Sequence, residues 1–223
     1  MNWKFYWNQV ASGAENTISA VQRNDFESAK RSVSHIVATL KINKNDRLLD
    51  VCCGNGILTE LIADSCHSIT GLDQSEVLLN SAIQNSVAQN ASYVLGDALR
   101  VSDVITSSKF DKIYMQFSLQ YFDKKGMGEK LIKEMTALLK PNGLLFIGDI
   151  PEASKHYVFY NTLPKLFYYS MSKIRGKNSM GKFWTPKELA QICVKLNLKG
   201  TYLKQATFLP YAWYRFDYLI EKI

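Results

Sequence analysis

The sequence predicts an α/β fold: a doubly wound, mostly parallel sheet of seven strands with a C-terminal antiparallel pair and a helical cap insertion. Three observations predict it. Short apolar runs without strict alternation recur between helical patterns, as strands buried on both faces do. The first three runs end at or beside acids, Asp50, Asp73 and Asp97, at steps of 23 and 24 residues, about the length of a strand, a helix and two short connections. The first run also passes into a turn of small residues, Gly54-Asn55-Gly56, and re-emerges as a helical pattern. Glycine suits such a turn because, lacking a Cβ, it takes positive φ and lets a ligand lie on the backbone.

Residues 1–46 form an N-terminal helical region. Aromatic and polar residues open it, with turns or a short helix expected. From Asp25, a stripe of Phe26, Ala29, Val33, Ile36, Val37 and Leu40 marks a helix that Asn24 or Asp25 caps. Residues 47–150 form the ligand-binding core. Its strands are expected at 47–51, 68–73, 92–96, 110–115 and 144–148. A helix starts at 57, and another at Ser75 with Val77, Leu78, Ala82, Ile83 and Val87 as its inner face. A third, at 128–140, is stopped by Pro141-Asn142-Gly143. Residues 151–184 break the pattern with two prolines and a dense run of aromatics, the cap insertion. Residues 185–223 close the domain: Thr185-Pro186-Lys187-Glu188 is a capping box with proline at the first helical position, and the last strands lie within 198–206 and 211–220.

At 223 residues, 47% apolar and 21% charged, the chain reads as one ordinary globular domain. No apolar run reaches the roughly 18 residues of a membrane span, and the N-terminus lacks the pattern of a secretory signal. Four cysteines, two of them adjacent at 52 and 53, offer neither metal-ligand spacing nor a disulfide framework, so no metal is expected and a cytoplasmic location is. The net charge of +7 is local: Lys155, Lys165, Lys173, Arg175, Lys177, Lys182 and Lys187 lie in a stretch, 153–187, that holds no acid.

Over roughly residues 30–150 and the closing strands, the chain resembles the class I S-adenosylmethionine (SAM) dependent methyltransferases, a Rossmann-like family. The motif that carries the resemblance is Asp50-Val51-Cys52-Cys53-Gly54-Asn55-Gly56, with acids in phase behind it. The resemblance implies that the Cys52, Gly54 and Gly56 turn holds the methionine part of SAM and that Asp50 helps place its amino group. It further implies Asp73, followed by Gln74, at the ribose, Asp97 and Ala98 at the adenine, and Gln116 on the methionine side. Cys52 replaces the glycine of the commonest motif, which a thiol tolerates if φ there is negative. A dinucleotide site would need a third glycine where Thr59 stands. Taken singly, Asp73 and Asp97 also read as helix caps.

Methyl transfer to a hydroxyl calls for a base; Asp149, Glu152, His156 and Tyr157 lie near the sheet edge, and of these Asp149, ending the fifth strand, and His156 are the leading candidates. Tyr6, Tyr121, Tyr157 and Arg215 are candidate substrate contacts. The basic, aromatic cap suggests a small anionic or lipid-linked acceptor: a saccharide, nucleotide-linked sugar or glycolipid methylated on oxygen. It also suits peripheral contact with an anionic membrane through Phe159, Leu163, Leu166, Phe167 and Met171. No nucleic-acid partner is expected. The alternatives are a quinone-type carbon methyltransferase and, from another class, a SAM-binding regulator or membrane-surface module without turnover.

Overall fold

A computed structural model describes residues 1–13, 25–106, 109–175 and 178–222; Asn24, Lys177 and the side chain of Lys173 lie outside the described residues. The strands are β1 (Arg47–Val51), β2 (Ser68–Asp73), β3 (Ala91–Leu95), β4 (Phe110–Gln116), β5 (Leu139–Pro151), β6 (Lys199–Lys204) and β7 (Arg215–Glu221). They form one sheet in the order β3-β2-β1-β4-β5-β7-β6. β7 is antiparallel to both its neighbours, while β1 to β5 pair in parallel. The strand order reverses beside β1, so a crevice opens at the carboxyl ends of β1 and β4.

Helices cover both faces because alternate strand residues point to opposite sides. Leu48, Tyr114 and Phe146 pack with Ala29, Ile36 and Leu40 of α2 (Phe26–Leu40) and Leu58 and Ile62 of α3 (Ile57–Ala63). Leu49, Ile113, Met115 and Ile147 pack on the other face with Leu131, Ile132 and Met135 of α6 (Met127–Ala137) and Leu189 of α9 (Pro186–Lys195). Asp25 caps α2 through the Ser28 amide, and the Thr185 and Glu188 capping box starts α9. The chain begins with α1 (Trp3–Ser12), and α4 (Glu76–Asn85) and α5 (Val101–Val104) follow β2 and β3. The cap contributes α7 (His156–Phe159) and α8 (Leu163–Ile174).

Three local expectations change. The inner face of α4 is Leu78, Leu79 and Ala82, whereas Val77, Ile83 and Val87 are exposed; the helix lies against β2, β3 and α1 at the sheet edge, where a narrow stripe suffices. α6 ends at Ala137, before Lys140, because the Phe110 amide captures the Leu138 carbonyl at 2.9 Å and Leu139 already pairs with Phe110. Trp184, expected in the cap, is core: it is 3% exposed and donates through Nε1 to the Leu119 carbonyl.

Glu60 of α3 ties the segment between α4 and β3 to the fold. One carboxylate oxygen accepts from Ser86 Oγ and the Tyr93 hydroxyl, the other from the Val87 and Ala88 amides. Burial pushes this carboxyl up, but the four hydrogen bonds outweigh it and hold it below the usual 4.5. Its stabilisation is therefore complete above about pH 4.5 and disappears as pH falls through the lowered value. Glu60→Ala should cost about 2 kcal/mol at neutral pH, measured by urea denaturation, with the gap from the unsubstituted protein narrowing as pH falls through the lowered value.

Candidate functional site

The turn after β1 is built by departures from ordinary backbone at three alternate residues. Cys52, Gly54 and Gly56 take φ of 63°, 59° and 75°. The expectation of a negative φ at Cys52 is therefore corrected: this non-glycine residue occupies the left-handed region, at a cost of about 1–3 kcal/mol. The surroundings hold it there. The Cys53 amide donates to the Leu72 carbonyl, the Gly54 amide to Asp73 Oδ2 at 2.8 Å, and the Gly56 amide to the Cys53 carbonyl. A Cβ at Gly56 would come within 2.6 Å of the Tyr93 hydroxyl oxygen, so close packing beneath the turn also requires glycine.

Asp73 Oδ1 accepts from the Ser75 amide at 2.8 Å, so the carboxylate spans from the β1 turn to the start of α4. Burial pushes this carboxyl up, and the Ser75, Gly54 and Gln74 amides offset the rise only in part. Asp50 Oδ2 accepts from Thr59 Oγ1 at 2.7 Å and the Tyr114 hydroxyl at 2.8 Å. Thr59, the residue in the place of a third glycine, thus anchors the acid ending the first strand. Burial, then Asp73 and Asp50, push the Cys52 thiol well up and keep it neutral.

Above the turn lies a cleft of about 1010 Å³ including its open mouth. Asp50, Cys52, Gly54, Asp73, Gln74, Gln116, Tyr121 and Asp149, all expected from the sequence, line it together. Five further aromatic residues, Trp3, Trp7, Phe117, Phe122 and Tyr211, share its walls with small polar residues such as Ser28, Ser32 and Ser118 and with aliphatic ones such as Ile57, Leu58 and Leu78. Among the described residues, three carboxylates line the cleft and no lysine, arginine or histidine does. Trp3 and Trp7 come from α1, where a four-residue separation puts them on one face; they pack on Tyr121 at ring distances of 4.5 and 5.5 Å. Asn8 of the same helix accepts from Ser75 Oγ at 2.6 Å. The i, i+4 tryptophan pair was a readable signal for this wall. Phe117 carried none, because its place depends on a φ of 61°.

The other candidates lie elsewhere. Gly56 is under the turn. Asp97 caps the short turn at Ala98 by accepting from the Leu99 amide, and its side chain is 41% exposed. Neither it nor Ala98 lines the cleft. Tyr6 packs between Trp3 and Trp7. His156 sits in the cap among Tyr157, Tyr160, Tyr169 and Phe183, at ring distances of 4.6–5.3 Å, and Tyr157 is 75% exposed. Aromatic packing within the cap holds both away from the cleft. Arg215 is buried, donates to the Asp149 carbonyl and stacks 4.1 Å over Phe117; it stands behind the wall rather than in it.

Asp149 owes its position to a bulge. Ile147 pairs with Tyr218 and Ile150 with Phe216, leaving Gly148 and Asp149 opposite Asp217 alone. Such a bulge re-aims a side chain, and Asp149 takes a φ of 58°. Its carboxylate accepts from Gln116 Nε2 at 2.6 Å and from Gln205 Nε2 at 2.9 Å. Gln116 lies directly on Gly148, where a Cβ would meet its Oε1 at 2.0 Å. That Oε1 is buried with no hydrogen-bond partner among the described residues.

Residues 48–143 match a family model described as a methyltransferase domain. A ubiquinone biosynthesis O-methyltransferase of Coxiella burnetii is 30% identical over 160 residues, covering 66% of this chain and 61% of that enzyme. The chain thus spans about three fifths of that relative's length. A demethylmenaquinone methyltransferase of Staphylococcus epidermidis is 26% identical over 187 residues, covering 80% of this chain and 75% of the relative. The crystal structure of the N-methyltransferase NodS of Bradyrhizobium japonicum, in complex with S-adenosyl-L-homocysteine, superimposes with a TM-score of 0.69 at 17% identity, covering 100% of this chain and 99% of that one. The shared architecture is the Rossmann-like, seven-stranded methyltransferase fold.

Gly148→Ala should push Gln116 off Asp149 and destabilise the protein by about 1–3 kcal/mol, read as a fall in Tm of a few degrees. Adding Gln116→Ala should recover part of the loss; an unchanged Tm in the single variant would contradict the close packing.

Proposed function

We propose, on the premise that residues 48–143 form a methyltransferase domain, that this protein is a SAM-dependent methyltransferase acting on a ring acceptor of quinone type. One observation carries the reading: a cleft lined by three carboxylates and six aromatic side chains, with no cationic side chain among the described residues that line it. Such a site suits a cationic cofactor and a flat, apolar acceptor.

The residues present fit the cofactor. SAM offers an ammonium, a sulfonium and ribose hydroxyls, and the cleft offers acceptors besides the proposed base: Asp50, Asp73 and the unpartnered Gln116 Oε1. Asp50 and the Cys52–Gly56 turn would hold the amino-acid end, Asp73 and Gln74 the ribose, Gln116 the methionine side, and Asp97 with Ala98 the outer rim beside the adenine. When bound, the cofactor supplies an activated methyl group. The chain's own part is to align the acceptor and dry the site. Trp3, Trp7 and Tyr121 close the cleft against water, and Tyr121 and Tyr211 flank a planar ring. Asp149 takes the proton of a ring hydroxyl, which makes both that oxygen and the adjoining ring carbon better nucleophiles.

The saccharide or sugar-nucleotide acceptor expected from the basic cap gives way to this reading. The cap's described cations do not line the cleft, and the relatives bear names from quinone chemistry. The cap supports peripheral contact with an anionic membrane instead. Leu163, Phe167, Tyr168 and Ile174 of α8 are 68–82% exposed in a stretch without acids. Phe159, expected on that face, packs against Tyr214 at 4.8 Å. Among the described residues no helix is long and apolar enough to cross a membrane.

Incubation with methyl-labelled SAM and either a catechol or a naphthoquinol should label at least one, and the position of the label separates oxygen from carbon transfer. Absence of label in both sinks the acceptor class. Calorimetry should show S-adenosylhomocysteine binding that weakens 10-fold or more in Asp73→Ala, a loss of about 1.4 kcal/mol or more; equal binding sinks the cofactor reading. Binding without turnover would instead favour a regulator. Sedimentation with anionic vesicles should fall in Leu163→Asp/Phe167→Asp, and equal sedimentation with neutral vesicles removes the membrane reading.

A further inference from the structure

Asp217 is a fully buried carboxylate that the proposed reaction does not use. It occupies the β7 position opposite the bulge that carries Asp149. Its Oδ1 accepts from the Asp149 amide at 2.9 Å and from Gln205 Nε2 at 2.7 Å. The same Gln205 nitrogen donates to Asp149 Oδ1 at 2.9 Å. Two buried carboxylates therefore hang on one amide group, and only a nitrogen facing them satisfies both. On its far side, Asp217 Oδ2 meets His35 Nε2 at 2.7 Å. His35 belongs to α2, its side chain is 15% exposed, and it lies edge-on to Phe146 and Phe208.

The remaining charged and titratable neighbours are few. Tyr202 of β6 feels Asp217, although burial is the larger cause of its raised phenol. Arg215, on the same strand as Asp217, donates to the Asp149 carbonyl, and burial is the first cause of the raised phenol of Tyr214, whose hydroxyl lies near both Arg215 and Asp149. Gln116 completes the hydrogen bonding of Asp149. Every polar atom of Asp149 is thus held, and the ring of His35 reaches Asp217 from α2.

We infer that the His35–Asp217 pair is a positioning and charge-setting partner of Asp149, so that the proton state of a ring on α2 governs how readily Asp149 takes a proton from the acceptor. The inference rests on Asp149 as the base proposed above. Like charges sharing a site favour protonation of one of them, and an opposite charge reverses this. A protonated His35 offsets Asp217 and leaves Asp149 free to stay ionised. A neutral or absent ring leaves Asp217 unbalanced, and Asp149 then holds its proton to higher pH.

The two members of the pair must therefore move the reaction in opposite directions. Label transfer from SAM to the catechol and naphthoquinol is followed from about pH 5.5 to 9 for the unsubstituted protein, His35→Gln, Asp217→Asn and Asp149→Asn, with calorimetry of S-adenosylhomocysteine alongside. His35→Gln should shift the acid limb of kcat to higher pH, and Asp217→Asn should shift it to lower pH, each by about half a pH unit or more. Asp149→Asn should lose about 100-fold in kcat. Cofactor affinity should stay within about threefold in all three, marking them as folded. His35, on the outer helix, keeps the test open if Asp217→Asn does not fold. Parallel limbs in His35→Gln and the unsubstituted protein, with Asp149→Asn inactive, overturn the pair's role and leave Asp149 as base. Full turnover by Asp149→Asn, or no label from the unsubstituted protein, overturns the base or the functional reading, and this inference with it.

Discussion

The carboxylate of Asp73 is the fastening on which the site depends. It accepts the Gly54 amide with one oxygen and the Ser75 amide with the other. One buried side chain thereby closes the turn after the first strand and starts the helix after the second. Without it, two buried amides would lose their partner, at roughly 1–3 kcal/mol each. Asp73 also remains available to a ligand, because each carboxylate oxygen has lone pairs beyond those used here.

Strain is distributed around the cleft in the same spirit. Cys52, Phe117 and Asp149 all occupy the left-handed region without being glycine, and all three line the cleft. Each has a neighbour fixed from another element: the Gly54 amide, two residues after Cys52, is bonded to Asp73, and Arg215 stacks on the face of Phe117 and donates to the carbonyl of Asp149. Strain persists where surrounding structure over-determines it, and such places cluster at functional sites. The mobile alternative would be a cleft without a fixed wall.

Charge is sorted by region. The acids stand at the strand ends and the basic excess lies in the cap, whose exposed apolar side chains are not among those lining the acids' cleft. The large positive balance therefore says little about what enters the cleft. It bears on what the outside of the cap meets.

Local regularity was enough for the architecture. Apolar period, the glycine turn and the even spacing of Asp50, Asp73 and Asp97 located the strands, the crossovers and the floor of the site, because each of these signals lies within a few turns of chain. Thr59 shows the limit: read as a missing glycine, it proves to anchor Asp50 through its hydroxyl. The bulge at Asp149, the reach of Gln205 and His35 to Asp217, and the retreat of His156 into its aromatic nest join residues far apart in the chain. The acid after β3 was read correctly as standing at a strand end, yet it turns towards its own Leu99 amide. Which way such a side chain points, and which backbone angle its residue takes, is set by partners that packing brings together. No period in the chain encodes them.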